Sequence, residues 1–176
     1  LIRGSGVDLS KFVPSPEPSG VPMIVFAARL LWDKGVQEFV DAETILKKQG
    51  LAGRFVIVGA PDEENHAAIP KEQLEAWAAE GAIECWGQRD DMSEILAGSV
   101  LFCLPSYYGE GVPKVLLEAA ASGRPLITTD MPGCREVVED GVNGLLVQPR
   151  DAEGLSHAIR ILLEDKERRI LSLIHI

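Results

Sequence analysis

The chain has 176 residues, enough for one domain with a core of its own. Its formal net charge is −10, and it has no lysine or arginine cluster that could follow a nucleic-acid backbone, which argues against nucleic acid as a partner. No apolar run reaches the eighteen or so residues that a membrane-spanning helix needs.

The first twenty residues are predicted to be an interdomain linker. Prolines at positions 14, 16 and 18 forbid regular structure there. The sequence begins with Leu1 rather than Met and lacks the form of a signal peptide. We therefore expect a piece of a longer protein, in which residues 21–170 form the domain.

A buried strand is predicted at residues 23–28, which form an unbroken apolar run. Arg29 and Lys34 follow it, and an amphipathic helix is predicted from about residue 33 to 49. Open α/β sheets bind ligands at the carboxyl ends of their strands, beside the switch in strand order. Both cations are therefore candidates for binding an anionic ligand, and the alternative is a pair of solvated surface charges.

The next two strands are predicted at residues 54–58 and 83–86, the second of them short and toward an edge of the sheet. Between them a helix is predicted from residue 71 to 80. Arg89 lies in the loop that follows the third strand, and either Asp90 or Asp91 is expected to cap a short helix at residues 92–97.

A fourth strand is predicted at residues 100–104, and it leads into a helix that ends at Gly123. Pro113 suits the first turn of this helix, whose N-terminal N–H groups favour an anion such as a diphosphate. Glu110 and Glu118 flank the helix start, at most about 12 Å apart along the axis if the segment is helical. Because carboxylates accept hydrogen bonds from hydroxyls, sugar hydroxyls are suitable partners for both.

The last two strands are predicted at residues 125–129 and 144–147, and a final helix is predicted from the cap Asp151 to about residue 165. Strands alternating with helices predict an α/β fold with a doubly wound, mostly parallel, six-stranded Rossmann-like sheet. Residues 171–176 lack the polar positions that continue the exposed face of a helix. One possible set of codons for them is identical to a transposon end sequence used in the preparation of DNA libraries. We interpret them as a non-native tail.

The cysteines and histidines give no metal-binding pattern. Cys85, Cys103 and Cys134 lack CxxC spacing, which is typical of reduced thiols in a cytoplasmic protein. The three histidines are scattered along the chain. No metal cluster is visible in the sequence, and we predict no cofactor.

Two motifs together resemble the donor-binding signature of family 4 glycosyltransferases. They are Arg29 with Lys34-Gly35, and Glu110 and Glu118 followed by a small-residue helix and Gly123-Arg124-Pro125. These enzymes retain the anomeric configuration and have two Rossmann-like domains, the GT-B architecture. The resemblance covers nearly all of residues 2–165 and implies that this chain is the C-terminal, nucleotide-sugar-binding half of a hexosyl- or N-acetylhexosaminyltransferase.

The resemblance also implies roles for individual residues. Arg29 and Lys34 would clasp the donor diphosphate, Glu110 would hold the donor sugar, and these three carry the predicted catalytic roles. Glu118 would bind the ribose hydroxyls. The complete set of predicted donor-binding residues is Arg29, Lys34, Arg89, Gly111, Val112, Val115 and Glu118.

The partners implied are a nucleotide diphosphate sugar, expected to be UDP-linked, and a saccharide acceptor. The variant Val112-Pro113-Lys114 resembles bacterial enzymes that extend polyprenyl-diphosphate-linked oligosaccharides. The acceptor would be bound mainly by an absent N-terminal half, so we expect this chain alone to transfer no sugar. The full-length enzyme would then work in the cytoplasm, at the inner face of the membrane.

Two other classes of function remain open from the sequence. A dinucleotide-binding dehydrogenase domain would share the strand pattern, but Lys114 stands where the third glycine of G-x-G-x-x-G would lie. A catalytically silent interaction module is the second alternative. It predicts that Glu110 and Arg29 can be changed in the full-length protein without loss of function.

Overall fold

The computed structural model describes residues 6–62, 64–109 and 111–169. The six strands are β1 (Met23–Ala27), β2 (Arg54–Val58), β3 (Glu84–Gly87), β4 (Leu101–Leu104), β5 (Leu126–Thr129) and β6 (Gly144–Val147). The helices are α1 (Val36–Lys48), α2 (Lys71–Ala79), α3 (Met92–Ala97), α4 (Lys114–Ala121), α5 (Pro132–Arg135) and α6 (Ala152–Glu164), with a short 3₁₀ helix at Trp32–Lys34. Glu110 and the predicted tail at residues 171–176 lie outside the described residues.

The strands form one sheet in the order β3-β2-β1-β4-β5-β6, and each strand is parallel to its neighbours. The predicted doubly wound six-stranded sheet is confirmed, including the place of β3 at an edge. Strands β1 and β4 are buried along their whole length, as expected for a parallel sheet covered on both faces. The strand order reverses between β1 and β4, so a ligand-binding crevice is expected at their carboxyl ends.

The predicted helix after β1 is interrupted, which corrects its start. Gly35 has a φ of +80°, a left-handed conformation that ends the 3₁₀ helix and places α1 from Val36 onward. A Cβ at this position would lie 2.2 Å from the carbonyl oxygen of Pro105. Lys34 is therefore held in a separate turn rather than in the helix.

Two helix starts also differ in detail from the prediction. Pro113 is the N-cap of α4, one residue before the first turn. Asp91 is the N-cap of α3, but its carboxylate makes no capping bond, because it accepts hydrogen bonds from Arg89 instead. Asp151 caps α6 as predicted, since its Oδ1 accepts from the N–H of Gly154 at 2.8 Å.

The segment before β1 packs against the end of the domain. Phe12 is buried in the core. The buried side chain of Arg124 donates to the Oγ of Ser15 at 2.9 Å, and Arg169 donates to both carboxylate oxygens of Glu17 at 2.9 Å. Residues 12–17 are thus fixed to the domain. The predicted domain limits remain a prediction.

None of the helices in the described ranges is both long and apolar enough to cross a membrane.

Candidate functional site

A cavity of about 650 Å³ opens at the carboxyl ends of β1, β2 and β4, at the switch in strand order. Its walls come from the loops that follow β1, β2 and β3 and from the start of α4. The lining residues are Ala27, Ala28, Arg29, Lys34, Val58, Gly59, Ala60, Pro61, Asp62, Gln88, Arg89, Met92, Leu104, Pro113, Lys114 and Val115. Its place and size suit a small-molecule ligand.

The charge of this cavity is opposite to that of the chain. Among the described residues, four cations line it, Arg29, Lys34, Arg89 and Lys114, whereas Asp62 is the only carboxylate. The chain as a whole carries a formal net charge of −10. The helix α4 also points its N-terminus, the positive end of its dipole, at the cavity. An anionic ligand is therefore favoured at this place and disfavoured over most of the surface.

Lys34 is the most enclosed of the four cations, with 5% of the residue exposed. Its Nζ lies 4.9 Å from the centre of the Tyr108 ring, within range of a cation–π contact. The 3₁₀ turn fixes its backbone, since the N–H of Lys34 donates to the carbonyl of Leu31 at 3.1 Å. Burial and a fixed turn hold this ammonium at the cavity wall.

Arg29 is held differently, although the sequence predicted it to act together with Lys34. Its side chain is 63% exposed, and its Nη1 donates to Oδ2 of Asp62 at 3.1 Å. A surface pair of this kind is weak, worth about 0.2–1 kcal/mol. The guanidinium can therefore exchange Asp62 for a ligand phosphate at low cost.

Arg89 lies on the opposite wall, in the loop after β3. Its guanidinium makes a two-pronged contact with Asp91, at 2.8 and 2.5 Å. This contact lowers the pKa of the Asp91 carboxyl and raises that of Arg89 further above its ordinary value. The guanidinium also lies 5.9 Å from the Trp86 ring. The orientation of Arg89 is set by these two neighbours.

Glu118 lies one helical turn into α4, with its side chain 13% exposed, and Oε1 contacts the Nζ of Lys114 at 3.2 Å. Lys114 lines the cavity and Glu118 does not, so the carboxylate is one contact away from the cavity lining. Gly111 and Val112 directly precede the N-cap of α4. Glu110 lies outside the described residues, so its predicted contact with the donor sugar remains a prediction.

The structure brings four of the predicted residues together around one cavity: Arg29, Lys34, Arg89 and Val115. Gly111, Val112 and Glu118 flank it at the start of α4. The sequence reasoning did not select Asp62, Gln88 or Lys114, which also line the cavity. A signal for Lys114 was present, because its spacing of four residues from Glu118 is that of a helical ion pair. Asp62 gave no local signal, since its contact with Arg29 spans 33 residues.

Within the ranges that the structure describes, no group of three or more histidine, cysteine or acidic side chains is placed to hold a metal ion.

Comparison with protein families identifies a match over most of the chain. The sequence profile described as glycosyl transferases group 1 matches residues 21–165. A relative from Campylobacter jejuni, N,N'-diacetylbacillosaminyl-diphospho-undecaprenol alpha-1,3-N-acetylgalactosaminyltransferase, is 35% identical over 97% of this chain and 46% of its own length. The WcaL protein of Salmonella typhimurium, a putative colanic acid biosynthesis glycosyltransferase, is 34% identical over 86% of this chain and 39% of its own length.

Solved structures share the fold. The structure of Anabaena HepE in complex with UDP superimposes with a TM-score of 0.81 and 23% identity, covering 96% of this chain and 49% of that one. The chain thus spans about half the length, or less, of the proteins it matches. The predicted resemblance is confirmed for the family and the fold.

Proposed function

This chain belongs to the glycosyl transferases group 1 family, and we propose that it is the donor-binding half of an enzyme that transfers a sugar from a nucleoside diphosphate sugar to a saccharide hydroxyl. One observation carries this proposal: in a chain of net charge −10, four cations line a single cavity at the switch in strand order. That arrangement suits a ligand that is anionic, small and bound at its diphosphate.

The cations would act on charge that develops during the reaction. As the bond between the anomeric carbon and the diphosphate breaks, negative charge builds on the leaving diphosphate. The ammonium of Lys34, the guanidinium of Arg29 and the backbone N–H groups near Gly111 and Val112 would stabilise it; the first two line the cavity, and the last two precede α4. Donors that are fixed before the reaction need little reorganisation, which makes this electrostatic term effective.

Other residues would position the donor. Glu118 would accept hydrogen bonds from the ribose hydroxyls, while Arg89 and Val115 would lie against the nucleoside. Glu110 would hold the donor sugar. On the family resemblance we propose that the anomeric configuration is retained and that neither a metal nor a cofactor is needed. The general base would come from the other half of the enzyme or from the substrate.

For the acceptor we propose a saccharide linked to a polyprenyl diphosphate. The Campylobacter jejuni relative is named for a diphospho-undecaprenol acceptor, which supports this class. The UDP complex of HepE supports a UDP-linked donor. A lipid-linked acceptor would require the complete enzyme to work at the cytoplasmic face of a membrane, with the acceptor bound mainly by its other half.

Calorimetric titration with UDP, uridine, GDP, ADP and NAD tests the donor site. We expect UDP to bind and uridine to bind far more weakly, because Arg29, Lys34 and the start of α4 would act on the diphosphate. Binding of NAD alone would favour a dinucleotide-binding domain. Absence of binding by every nucleoside diphosphate would contradict the proposal.

A pair of variants tests the role of Glu118. Glu118→Ala should weaken UDP binding about tenfold, through loss of hydrogen bonds to the ribose. The substitution also removes the carboxylate that pairs with Lys114, and this change by itself should strengthen the binding of an anion. Weaker UDP binding would therefore have to come from the lost hydrogen bonds to the ribose hydroxyls. Glu75→Ala is the matched control, since Glu75 forms the same type of pair with Lys71 in α2, and neither residue lines the cavity of the four cations.

A further inference from the structure

Two adjacent tyrosines in the loop after β4 each engage a cation from a different loop. Tyr108 lies under the ammonium of Lys34, with 4.9 Å between Nζ and the ring centre. Tyr107 lies under the guanidinium of Arg150, with 4.5 Å between Cζ and the ring centre. Tyr108 is 49% exposed. Packing in the core does not account for its position.

The backbone fixes Tyr108 relative to Lys34. The carbonyl oxygen of Asp33, directly before Lys34, accepts from the N–H groups of Tyr107 at 2.9 Å and Tyr108 at 3.2 Å. The Oγ of Ser106 donates to the same oxygen at 3.3 Å. The ring and the ammonium are thus carried by two backbone segments that are bonded to each other. The two backbone segments therefore place the Tyr108 ring within reach of the Lys34 ammonium.

A contact with an aromatic ring is suitable for an ammonium group that binds an anionic ligand. The face of an aromatic ring attracts a cation through its quadrupole and carries no formal negative charge. It therefore stabilises the ammonium of Lys34 at the cavity wall without repelling an incoming diphosphate.

We infer that Tyr108 is a positioning residue, whose ring holds the Lys34 ammonium in the orientation that receives the diphosphate of the donor. The inference rests on the proposed function, because it needs the cavity to bind a nucleoside diphosphate. It assigns to Tyr108 a role that acts through Lys34 and not through the ligand.

The test uses UDP binding to this chain, measured by calorimetry on variants of Tyr108 and Lys34. Tyr108→Leu should weaken binding between about threefold and thirtyfold, the range expected for a cation–π contact. Tyr108→Phe keeps the ring and should restore most of the affinity. In a Lys34→Met background, Tyr108→Leu should have no further effect, because the two residues act as one unit. Tyr108→Met is a second truncation, should the leucine variant fail to fold.

The outcomes separate the inference from the proposed function. If the unsubstituted chain binds no UDP, both are overturned. If the unsubstituted chain binds UDP and the Tyr108→Leu variant binds it equally well, only the positioning role is overturned. The same holds if Tyr108→Leu weakens UDP binding to the same extent in the parent chain and in the Lys34→Met background. Tyr107→Leu is the matched control, since its ring engages Arg150, and equal weakening by it would also overturn the role of Tyr108. Thermal unfolding of each variant confirms that it is folded.

Discussion

The backbone carbonyl of Asp33 accepts a hydrogen bond from the backbone N–H of Tyr107 at 2.9 Å. This bond joins the turn after β1, which carries Lys34, to the loop after β4, which leads into α4. The two segments are far apart in sequence but come from strands that lie side by side in the sheet. The two walls of the cavity are therefore connected directly, and a change at their contact should disturb both.

Gly35→Ala should strongly destabilise the fold at this contact. Gly35 has a φ of +80°, and an added Cβ would lie 2.2 Å from the carbonyl oxygen of Pro105. We expect the free energy of unfolding to fall by about 3 kcal/mol or more, from conformational strain together with a backbone clash. Urea unfolding of the variant and the parent chain measures the loss.

Gly50→Ala separates the two causes. Gly50 has nearly the same φ, +78°, but no heavy atom lies within 4 Å of the position of its added Cβ. Strain alone should then cost about 1–2 kcal/mol. Equal losses in the two variants would show that the contact with Pro105 does not constrain the site.

Arg124→Met should destabilise the domain by about 2–4 kcal/mol. Arg124 is 2% exposed, and its guanidinium donates to the carbonyl oxygens of Ser99, Ser122 and Ser15. Methionine fills much of the same volume but leaves these acceptors, two of them on buried residues, without their charged donor, and such losses are large. The free energy of unfolding in urea is the measurement.

Arg54→Met provides the comparison for a surface arginine. Arg54 donates to both carboxylate oxygens of Glu84, at 2.7 and 2.8 Å, but its side chain is exposed. Because water screens an exposed pair, its loss should change the free energy of unfolding by less than about 1 kcal/mol. A loss as large as that of Arg124→Met would mean that burial does not determine these effects.

The burial of Arg124 could not be predicted from the sequence, whereas the six strands could. The alternation of apolar strands and helices was sufficient to predict the six strands, since that signal is local and periodic. The burial of Arg124 depends on Ser15, which is 109 residues away, and no local pattern indicates that contact. The left-handed turn at Gly35 was missed because it depends on the approach of Pro105 from a neighbouring strand.

The candidate site was predictable to a similar extent. Arg29 and Lys34 were selected because they follow a buried strand, which is a property of the sequence. Their different environments, one exposed beside Asp62 and one enclosed beside Tyr108, arise from loops elsewhere in the chain. Residue types and spacing therefore indicated which edge of the sheet binds a ligand. Tertiary packing determines how exposed each cation is and which side chain it contacts.

Glu17→Gln should lower stability at neutral pH and have little effect in acid. Hydrogen bonds from Arg169 hold the pKa of the Glu17 carboxyl below its ordinary value of 4.5. The charged pair therefore stabilises the fold above about pH 4.5, and this contribution is lost as the pH falls through the lowered pKa of the folded state. We expect a loss of about 1–2 kcal/mol at pH 7 that shrinks toward pH 3, measured by urea unfolding at several pH values.

Glu38→Gln should show the opposite sign. Burial raises the pKa of Glu38, and its buried Oε2 accepts no hydrogen bond from any residue in the described ranges. The folded state favours the protonated carboxyl, so stability falls as the pH rises from about 4.5 through the raised pKa. The substitution should therefore stabilise the domain at pH 7, with a gain that disappears below about pH 4.5. The same pH dependence in both variants would contradict the assignment of the two shifts.

Lys34→Met should weaken UDP binding by about thirtyfold. The substitution removes an enclosed ammonium from the wall of the cavity, and the loss of one charged partner from a desolvated contact typically costs about 2 kcal/mol or more. Lys11→Met is the matched control, because Lys11 also lies over an aromatic ring, that of Phe12 at 5.8 Å, but outside the cavity. Titrations at low and high salt add a second measurement. Added salt should weaken UDP binding to the parent chain and to Lys11→Met more than to Lys34→Met, since the methionine variant has lost one of the charges that salt screens. Equal affinities of the two variants for UDP would remove Lys34 from the diphosphate site.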